Sequence, residues 1–402
     1  MSLSRNAAAM FAAAVVLVAC GSSGTSKPAT STTTDGSATT AASGNTTPDT
    51  STKDTKPSAS TLPAVETGKA FPADRCAANK AAGTILYLSS YDFAASASIV
   101  DVLVAANKGY YKDLCLDVKL KSSFSTDNYP QIAGDDAQFS SGGSFSEMVD
   151  FADANDAGFV ALAVEGRTGI DALITKDGAV ATLADIKGKK IGVKGAITPS
   201  VKAMLAKAGL VENKDYTTVL LDGFDPTVHI AVPDIVGFPG FKSNEPKQLD
   251  AKGIKYKLFD PSSDGIPGSF GIIYTNSRFM QQFPTAAEDF MRATMKGLAD
   301  AIADPAGAAK IAVDDINANG NALFLSPEGE TARWGVESKL VAGGVTADAP
   351  LGLPIIDELK AEVSTYASVG LFDGKTPDIS TMVDPSVVKA LYDAKGVLIW
   401  PS

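Results

Sequence analysis

The sequence predicts an α/β protein of two lobes, each a mostly parallel sheet flanked by helices, and three observations predict it. Short apolar runs alternate with helix-periodic stretches from about residue 84 onward, the pattern of repeated βα units. The composition is globular from about Phe71 to Ser402, roughly 330 residues, which is long for one core and enough for two. Residues 185–210 pass from an apolar run holding Ile191 and Val193, through Gly195, into a helix with Thr198 as N-cap and Pro199 at its first position. On that helix Val201, Met204, Leu205 and Ala208 recur at i, i+3, i+4 and i+7 before Gly209 stops it. Such a helix packs on a sheet with its N-terminus at a strand's carboxyl end. Its free N–H groups at 195–200 then face a crevice suited to an electron-rich ligand group.

Residues 1–19 have the layout of an export signal, with Arg5 ahead of an apolar run at 7–19 that is too short for a membrane span. Leu17, Val18, Ala19 and Cys20 resemble the bacterial lipobox, which implies that Cys20 is lipidated and becomes the mature N-terminus. The expected location is therefore extracytoplasmic, on a lipid anchor in the cell membrane. Most of residues 20–72 is a Ser/Thr-rich stretch that buries too little apolar area to offset its ordering entropy. It reads as a tether, and a flexible coil of about forty residues spans on the order of 35 Å.

The first lobe is expected over 73–172 and 276–402 and the second over 173–275. Strand 84–88 leads to a helix near 95–107 carrying Ile99, Leu103 and Ala106, then to strand 115–120, a short helix near 129–134 and an extended segment at 138–140. Ser141, Gly142, Gly143 and Ser144 open a helix over 145–153, followed by the apolar strand 159–164. After a crossing near 170–175, the second lobe adds strands 217–221 and 234–238, a helix near 244–252 and a strand 255–259. Residues 270–275 read as the return crossing. The remainder is helical: 285–303 opens with the capping box Thr285 and Glu288, and Ser326-Pro327 and Asp384-Pro385 open two more helices.

Of the three cysteines, Cys20 is assigned to lipid, leaving Cys76 and Cys115 as a disulfide in an oxidising compartment rather than two free buried thiols. Closing a loop of about forty residues contributes ~4 kcal/mol on the chain-entropy account. The chain has 35 basic and 46 acidic residues, net −11, with no basic run or aromatic-basic stripe, which argues against nucleic-acid binding. An enzyme is not expected. The single histidine, His229, is read as structural, and no G-x-S-x-G elbow supplies a nucleophile. One histidine and one cysteine pair cannot build a tetrahedral zinc site, and Gly188, Gly192 and Gly195 fit neither a dinucleotide fingerprint nor a P-loop. No metal and no cofactor are expected.

What the strand ends supply is binding groups. In the first lobe these are Tyr91, Asp92 and Phe93, then Ser141, Gly142, Gly143 and Ser144, then Glu165 and Arg167. In the second they are Gly195 and Thr198, then Phe238 and Phe241, then Asn244 and Glu245, then Asp264. Two lobes facing across a cleft would bring these aromatic faces and hydrogen-bonding groups onto one small ligand.

Most of the chain from about 84 to 310 resembles the periplasmic substrate-binding proteins of ABC importers, in the class serving nitrate, alkylsulfonates and the pyrimidine precursors of thiamine. The residues that carry it are Gly109, Tyr110 and Tyr111 before Leu116, Asp117 and Val118; Leu173 and Ile174 with DIKGKKIGV at 185–193; Asn244, Glu245 and Pro246 before Gly253 and Ile254; and Asp264, Gly265, Ile266 and Pro267. The resemblance implies a two-lobed periplasmic-binding-protein fold with two crossings, closure on a small-molecule ligand, a monomer, and delivery to a membrane permease. The Asn244, Glu245, Pro246 stretch is similar to the thiamine-precursor and riboflavin-binding branches.

Nitrate and sulfonate sites need a cationic or strongly N–H-donating pocket, whereas here Asp92, Glu165, Glu245 and Asp264 stand against Arg167 alone. A flat heteroaromatic vitamin precursor with N–H donors fits that set better, Glu245 accepting from its edge. Nitrate or an alkylsulfonate is the alternative. The same fold serves a fungal-type pyrimidine-synthesising enzyme that consumes its own histidine beside a cysteine cluster, but this chain has no such cluster. A lipoprotein that binds a protein partner is the remaining reading. Cys20→Ser should release the protein to the medium or leave an uncleaved precursor, since lipid is the only membrane contact the sequence offers; membrane fractionation and intact mass check this.

Overall fold

A computed structural model describes residues 62–320 and 325–402. The first lobe opens with α1 (Ala73–Ala81), β1 (Thr84–Leu88), α2 (Val100–Asn107), α3 (Tyr110–Asp113), β2 (Asp117–Lys121), α4 (Ser125–Ala133), β3 (Phe139–Gly142), α5 (Phe145–Asn155) and β4 (Phe159–Gly166). The second lobe contains β5 (Asp171–Lys176), β6 (Lys190–Val193), α6 (Pro199–Lys207), β7 (Thr217–Leu220), α7 (Pro226–Ala231), β8 (Gly237–Phe241), α8 (Glu245–Ala251) and β9 (Tyr256–Phe259). The chain returns through β10 (Phe270–Asn276), α9 (Ser277–Gln282), α10 (Pro284–Ala303), α11 (Pro305–Asn319), α12 (Pro327–Ala342), α13 (Ile356–Ala367) and α14 (Pro385–Lys389).

Two five-stranded sheets result, ordered β2-β1-β3-β10-β4 and β7-β6-β8-β5-β9. In the first, β1 pairs parallel with β2 and β3, and β10 runs antiparallel between β3 and β4. In the second, β6 pairs parallel with β7 and β8, and β5 runs antiparallel between β8 and β9. Each sheet thus has four strands pointing one way and a single reversed strand, the one that has just crossed from the other lobe.

Both expected crossings are corrected by this topology: the first, near 170–175, is β5 itself, paired with β8 and β9, and the return crossing fails in the same way at 270–275. Those residues are all buried and form the strand between β3 and β4, so the lobe boundary at 275/276 moves back to the loop before β10. The crossings are 167–170 and 260–269, and they touch: a Cβ on Gly268 would lie 2.8 Å from Gly169 Cα, so a side chain there would push the two connections apart. The expected capping box at Thr285 is also replaced. Pro284 takes the first helical position and Glu288 turns instead to Arg75 and Arg292, at 3.0 and 2.6 Å. The caps at Ser326 and Asp384 form as expected, their side chains accepting from Gly329 N and Ser386 N. Cys76 and Cys115 are joined, fastening α1 to the start of the first sheet. Arg75 grips the buried Asp289 of α10 from the same helix, at 2.8 and 3.0 Å. Cys20 and the tether lie outside the described residues, apart from the tether's end at 62–72.

The first lobe's core packs α2 and α10 on the sheet, with Phe139 and Phe290 stacked 3.9 Å apart. A second apolar cluster is shared between lobes. It unites Phe145, Met148 and Ile272 of the first lobe with Leu173, Val193, Val201 and Met204 of the second, through Leu359, Val363 and Tyr366 of α13.

One polar feature is buried beneath the loop that follows β1. Asp101 and Glu165 are side by side in the core, and Glu165 Oε2 accepts from Ser98 N at 2.9 Å, holding Ser98 at φ 58°. Burial pushes Asp101 up to about 6; burial and the Asp101 charge push Glu165 well above the usual carboxylate range. Two such carboxyls share a proton that the unfolded chain would release above about pH 4. The folded state therefore binds more protons than the unfolded one from about pH 4 through 6 and above, and this pair's contribution to stability falls as pH rises through that range. Glu165→Gln supplies Asp101 with an N–H while keeping an acceptor for Ser98. It should flatten the fall between pH 5 and pH 8 and raise stability at pH 8 by about 1–3 kcal/mol, measured by urea unfolding at both values.

Candidate functional site

The reversed strands fix where a ligand can sit. The carboxyl end of β4 leads straight into the second lobe, so the strands parallel to it, β1, β2 and β3, end toward that lobe. β5 leaves the first lobe, so β6, β7, β8 and β9, which oppose it, end toward the first. Loops from both sets of strand ends meet there.

From the first lobe come Tyr91, after β1, and Phe124, after β2, edge to face with ring centroids 5.9 Å apart. The second lobe contributes Lys194, after β6, with its Nζ 5.4 Å from the Phe224 ring, after β7, and 2.9 Å from Glu245 Oε1. Phe241 ends β8 and donates its N–H to Glu245 Oε2 at 2.7 Å. Arg333 of α12 links the two halves, its guanidinium 6.0 Å from the Tyr91 ring centre and hydrogen-bonded to Asn244 Oδ1 at 3.3 Å. Burial raises the Tyr91 hydroxyl to about 12, opposed by Arg333 and reinforced by Glu245, Glu330 and Asp92, so these charges gather on one ring. Phe124, Phe224 and Phe241 are large apolar side chains left exposed, at 40%, 59% and 47%, beside this charged centre.

The structure brings Tyr91, Asn244, Glu245 and Phe241 together, and Asp92 is adjacent to Tyr91 in the same loop. Other expected residues have different work. Phe238 is fully buried on the far face of β8 with Ile174, Ile230 and Leu249, because an offset of three along a strand reverses the side chain's direction relative to Phe241. The strand expected at 234–238 forms at 237–241 instead, so Pro239, Gly240 and Phe241, expected to follow it as a loop, belong to the strand itself. Arg167 is spent on the carbonyls of Gly344, Ala349, Pro350 and Leu353, so the one cation expected at the cleft instead holds the loop before α13. Glu165 belongs to the buried pair described above. Phe93 is buried in the first core. Ser141 Oγ accepts from Ser90 N at 2.6 Å, Gly142 lies in β3 opposite Ile272, and Ser144 caps α5 through Glu147 N. A Cβ on Gly143 would meet Glu147 Oε2 at 2.5 Å. Gly195 adopts φ 101° at an exposed turn, Thr198 is the N-cap of α6 without a side-chain cap bond, and Asp264 is exposed with its carbonyl on Lys207 Nζ at 2.6 Å.

Two charge corrections matter for ligand chemistry. Glu245, expected as an open carboxylate, has both oxygens partnered within its own lobe and is 3% exposed. The helix start at 195–200, expected to suit an electron-rich ligand group, holds an internal carboxylate, and so does the start of α5. Glu362 of α13 accepts from Ser146 N in the first turn of α5 at 3.0 Å, and Asp171 accepts from Ser200 Oγ in the first turn of α6 at 2.8 Å. Lys194, Phe124, Phe224 and Arg333 were not anticipated. The first three sit at strand carboxyl ends and so were open to the rule that found Tyr91; Arg333 lies on a distant helix and carried no such signal. Among the described residues no group of three or more His, Cys, Asp or Glu is placed to hold a metal.

Residues 96–308, just over half of the chain, match a family model described as NMT1/THI5 like. The chain is similar to the riboflavin-binding protein RibY of Chloroflexus aurantiacus, 30% identical over 134 residues, which is 31% of this chain and 36% of that protein. The match thus spans about a third of the relative's length. Among solved structures, the periplasmic aliphatic sulphonate binding protein SsuA of Escherichia coli is similar with a TM-score of 0.55 and 11% identity, covering 75% of this chain and 92% of that one. The desulfurization enzyme DSZB gives 0.53 and 12%, covering 77% and 98%. At these identities the likeness carries the fold alone.

The ion pair at the centre makes an asymmetric prediction. Lys194→Met strands the buried Glu245 carboxylate and should cost about 1–3 kcal/mol, whereas Glu245→Gln keeps an acceptor for Phe241 N and should cost less. The double variant should recover most of the lysine variant's loss, and urea unfolding of the three proteins reads this directly.

Proposed function

Because this chain belongs to the NMT1/THI5-like family, we propose that it is an extracytoplasmic solute-binding protein, anchored through Cys20, that closes two lobes on a small ligand and delivers it to an ABC permease. In this reading the ligand is a flat heteroaromatic vitamin precursor, of the aminopyrimidine or flavin kind. One observation carries it: exposed aromatic faces from both lobes surround charges that the chain has already neutralised within itself. Stacking on Tyr91, Phe124, Phe224 and Phe241 rewards a planar ring. The internal carboxylates at the first turns of α5 and α6 discourage an anion there. The resemblance to a riboflavin-binding relative supports the same ligand class, over the aligned part.

The role is binding without catalysis. Cys76 and Cys115 are joined, and His229 is buried on Phe238 with its Nε2 at 2.9 Å from the Asp222 carbonyl. A second reading, nitrate or an alkylsulfonate, is favoured by Lys194 and Arg333, two cations at the site that the composition of the loops had not revealed.

Calorimetry with riboflavin, an aminopyrimidine, taurine and nitrate separates the two. A heteroaromatic compound should bind, and Tyr91→Ala should weaken it about 3- to 10-fold, the worth of one stacked ring. Tight taurine or nitrate binding that Lys194→Met abolishes and Tyr91→Ala spares would replace this ligand class with the anionic one.

A further inference from the structure

The loops of the two lobes are joined beside the site by a helix that lies outside the family match. Residues 327–342 form α12, beyond the matched span of 96–308. Trp334, fully buried, seats this helix on the first lobe and donates its indole N–H to Ala301 O at 2.8 Å. From that base three buried side chains at i, i+3 and i+7 reach outward: Glu330, Arg333 and Glu337. Glu337 Oε2 accepts from Ser96 Oγ at 2.8 Å and Ala97 N at 2.7 Å, both in the loop after β1 of the first lobe. Its other oxygen accepts from Ser243 Oγ at 2.7 Å, in the loop after β8 of the second lobe. Glu330 Oε2 accepts from Ala95 N at 2.9 Å, and Arg333 spans the Glu330 carboxylate, at 3.0 and 3.1 Å, and Asn244 Oδ1 of the second lobe, at 3.3 Å.

We propose that α12 is an inter-lobe latch, in which Glu337 and Arg333, fixed to the first lobe, hold the second through Ser243 and Asn244 and so set how readily the binding site opens. The contacts on the first-lobe side are numerous and include two backbone N–H groups, whereas the second lobe is held by only two side chains. Separation therefore occurs at Ser243 and Asn244, which are adjacent to Glu245 of the site. A latch of this kind stabilises the closed arrangement before any ligand arrives. It raises apparent affinity by increasing the closed fraction, and slows release for the same reason. Glu337 and Arg333 are positioning residues here; Arg333 also orients the Tyr91 ring against which a planar ligand would lie.

The ligand arm of the test rests on the proposed function; the ligand-free arm does not. Hydrogen exchange of the full chain without ligand, at Ala95 and Ala97, reports opening, since separation at Ser243 and Asn244 admits water to the carboxylates of α12 to which these two amides donate, and Phe241 N, which donates to Glu245 within the second lobe, is the control. Ser243→Ala removes only the second-lobe end of the latch and leaves the Ala97 bond to Glu337 in place. It should raise exchange at Ala95 and Ala97 by roughly 10- to 100-fold, the range for losing a hydrogen bond to a charged acceptor, with the melting temperature little changed. A merely local role for Ser243 would leave those first-lobe amides untouched, and that result overturns the latch. Glu337→Gln, which keeps the shape and loses the charge, should give an intermediate effect, and should release riboflavin faster if riboflavin binds. Absence of riboflavin binding together with faster exchange would remove the ligand assignment and leave the latch standing.

Discussion

The constraint on which everything else depends is the reversal of one strand in each sheet. A chain that builds a parallel set, leaves, builds a second set and returns must enter each sheet against the grain, and here β5 and β10 do so. Because β5 continues directly from β4, and β10 follows the second lobe's last strand, the remaining eight strands are forced to end toward the opposite lobe. Turns at those ends face the other lobe and are less bound by the core's packing demands than the strands, so the binding groups collect there. Gly271, at φ 64° in β10, shows how close that fit is. A Cβ at this position would lie 2.8 Å from the Ala97 side chain, in the loop that meets α12.

A second regularity is that charge in the lobe junction is met internally. Glu245 has Lys194, Arg333 has Glu330, Glu362 and Asp171 take donors from the first turns of α5 and α6, and Glu337 is surrounded by hydroxyl and N–H donors. Burying an unpaired carboxylate is costly, and this network avoids that cost while leaving aromatic surface as the least committed material in the site. A ligand then has little to gain from bringing a full charge and more to gain from area and shape.

Much of this was legible in the sequence, and what was missed has physical causes. The βα alternation and the joined cysteines follow from local pattern and composition, whereas the residues expected as crossings are the reversed strands β5 and β10 that follow each crossing. The strand expected at 234–238 is displaced to 237–241 because Gly237, Pro239 and Gly240 read as the turn that ends it. Pro239 is tolerated because β8 pairs with β6 only through Gly237 and Ile191, so no partner on that side needs the missing N–H. Residues 270–276 were misread because an all-apolar segment following a boundary fits a crossing as well as a central strand, and only the tertiary pairing with β3 and β4 separates the two. Glu330, Arg333 and Glu337 lie on the helix that Ser326-Pro327 opens, and three charged side chains at i, i+3 and i+7 carry no sign of burial in the sequence. Nothing within that helix announces that two loops more than eighty residues away will close over it.

The cluster that α13 completes has a consequence for how the protein comes into being. The first sheet lacks the strand between β3 and β4 until residue 276 has been made, and the apolar surface common to both lobes stays open until Leu359, Val363, Tyr366, Ile379 and Val383 arrive. Neither half can therefore finish folding on its own while synthesis is under way, in contrast to the usual piecewise order of domains. The nascent chain stays unfinished, and so open to being threaded through a narrow channel, until residues 359–383 have been added.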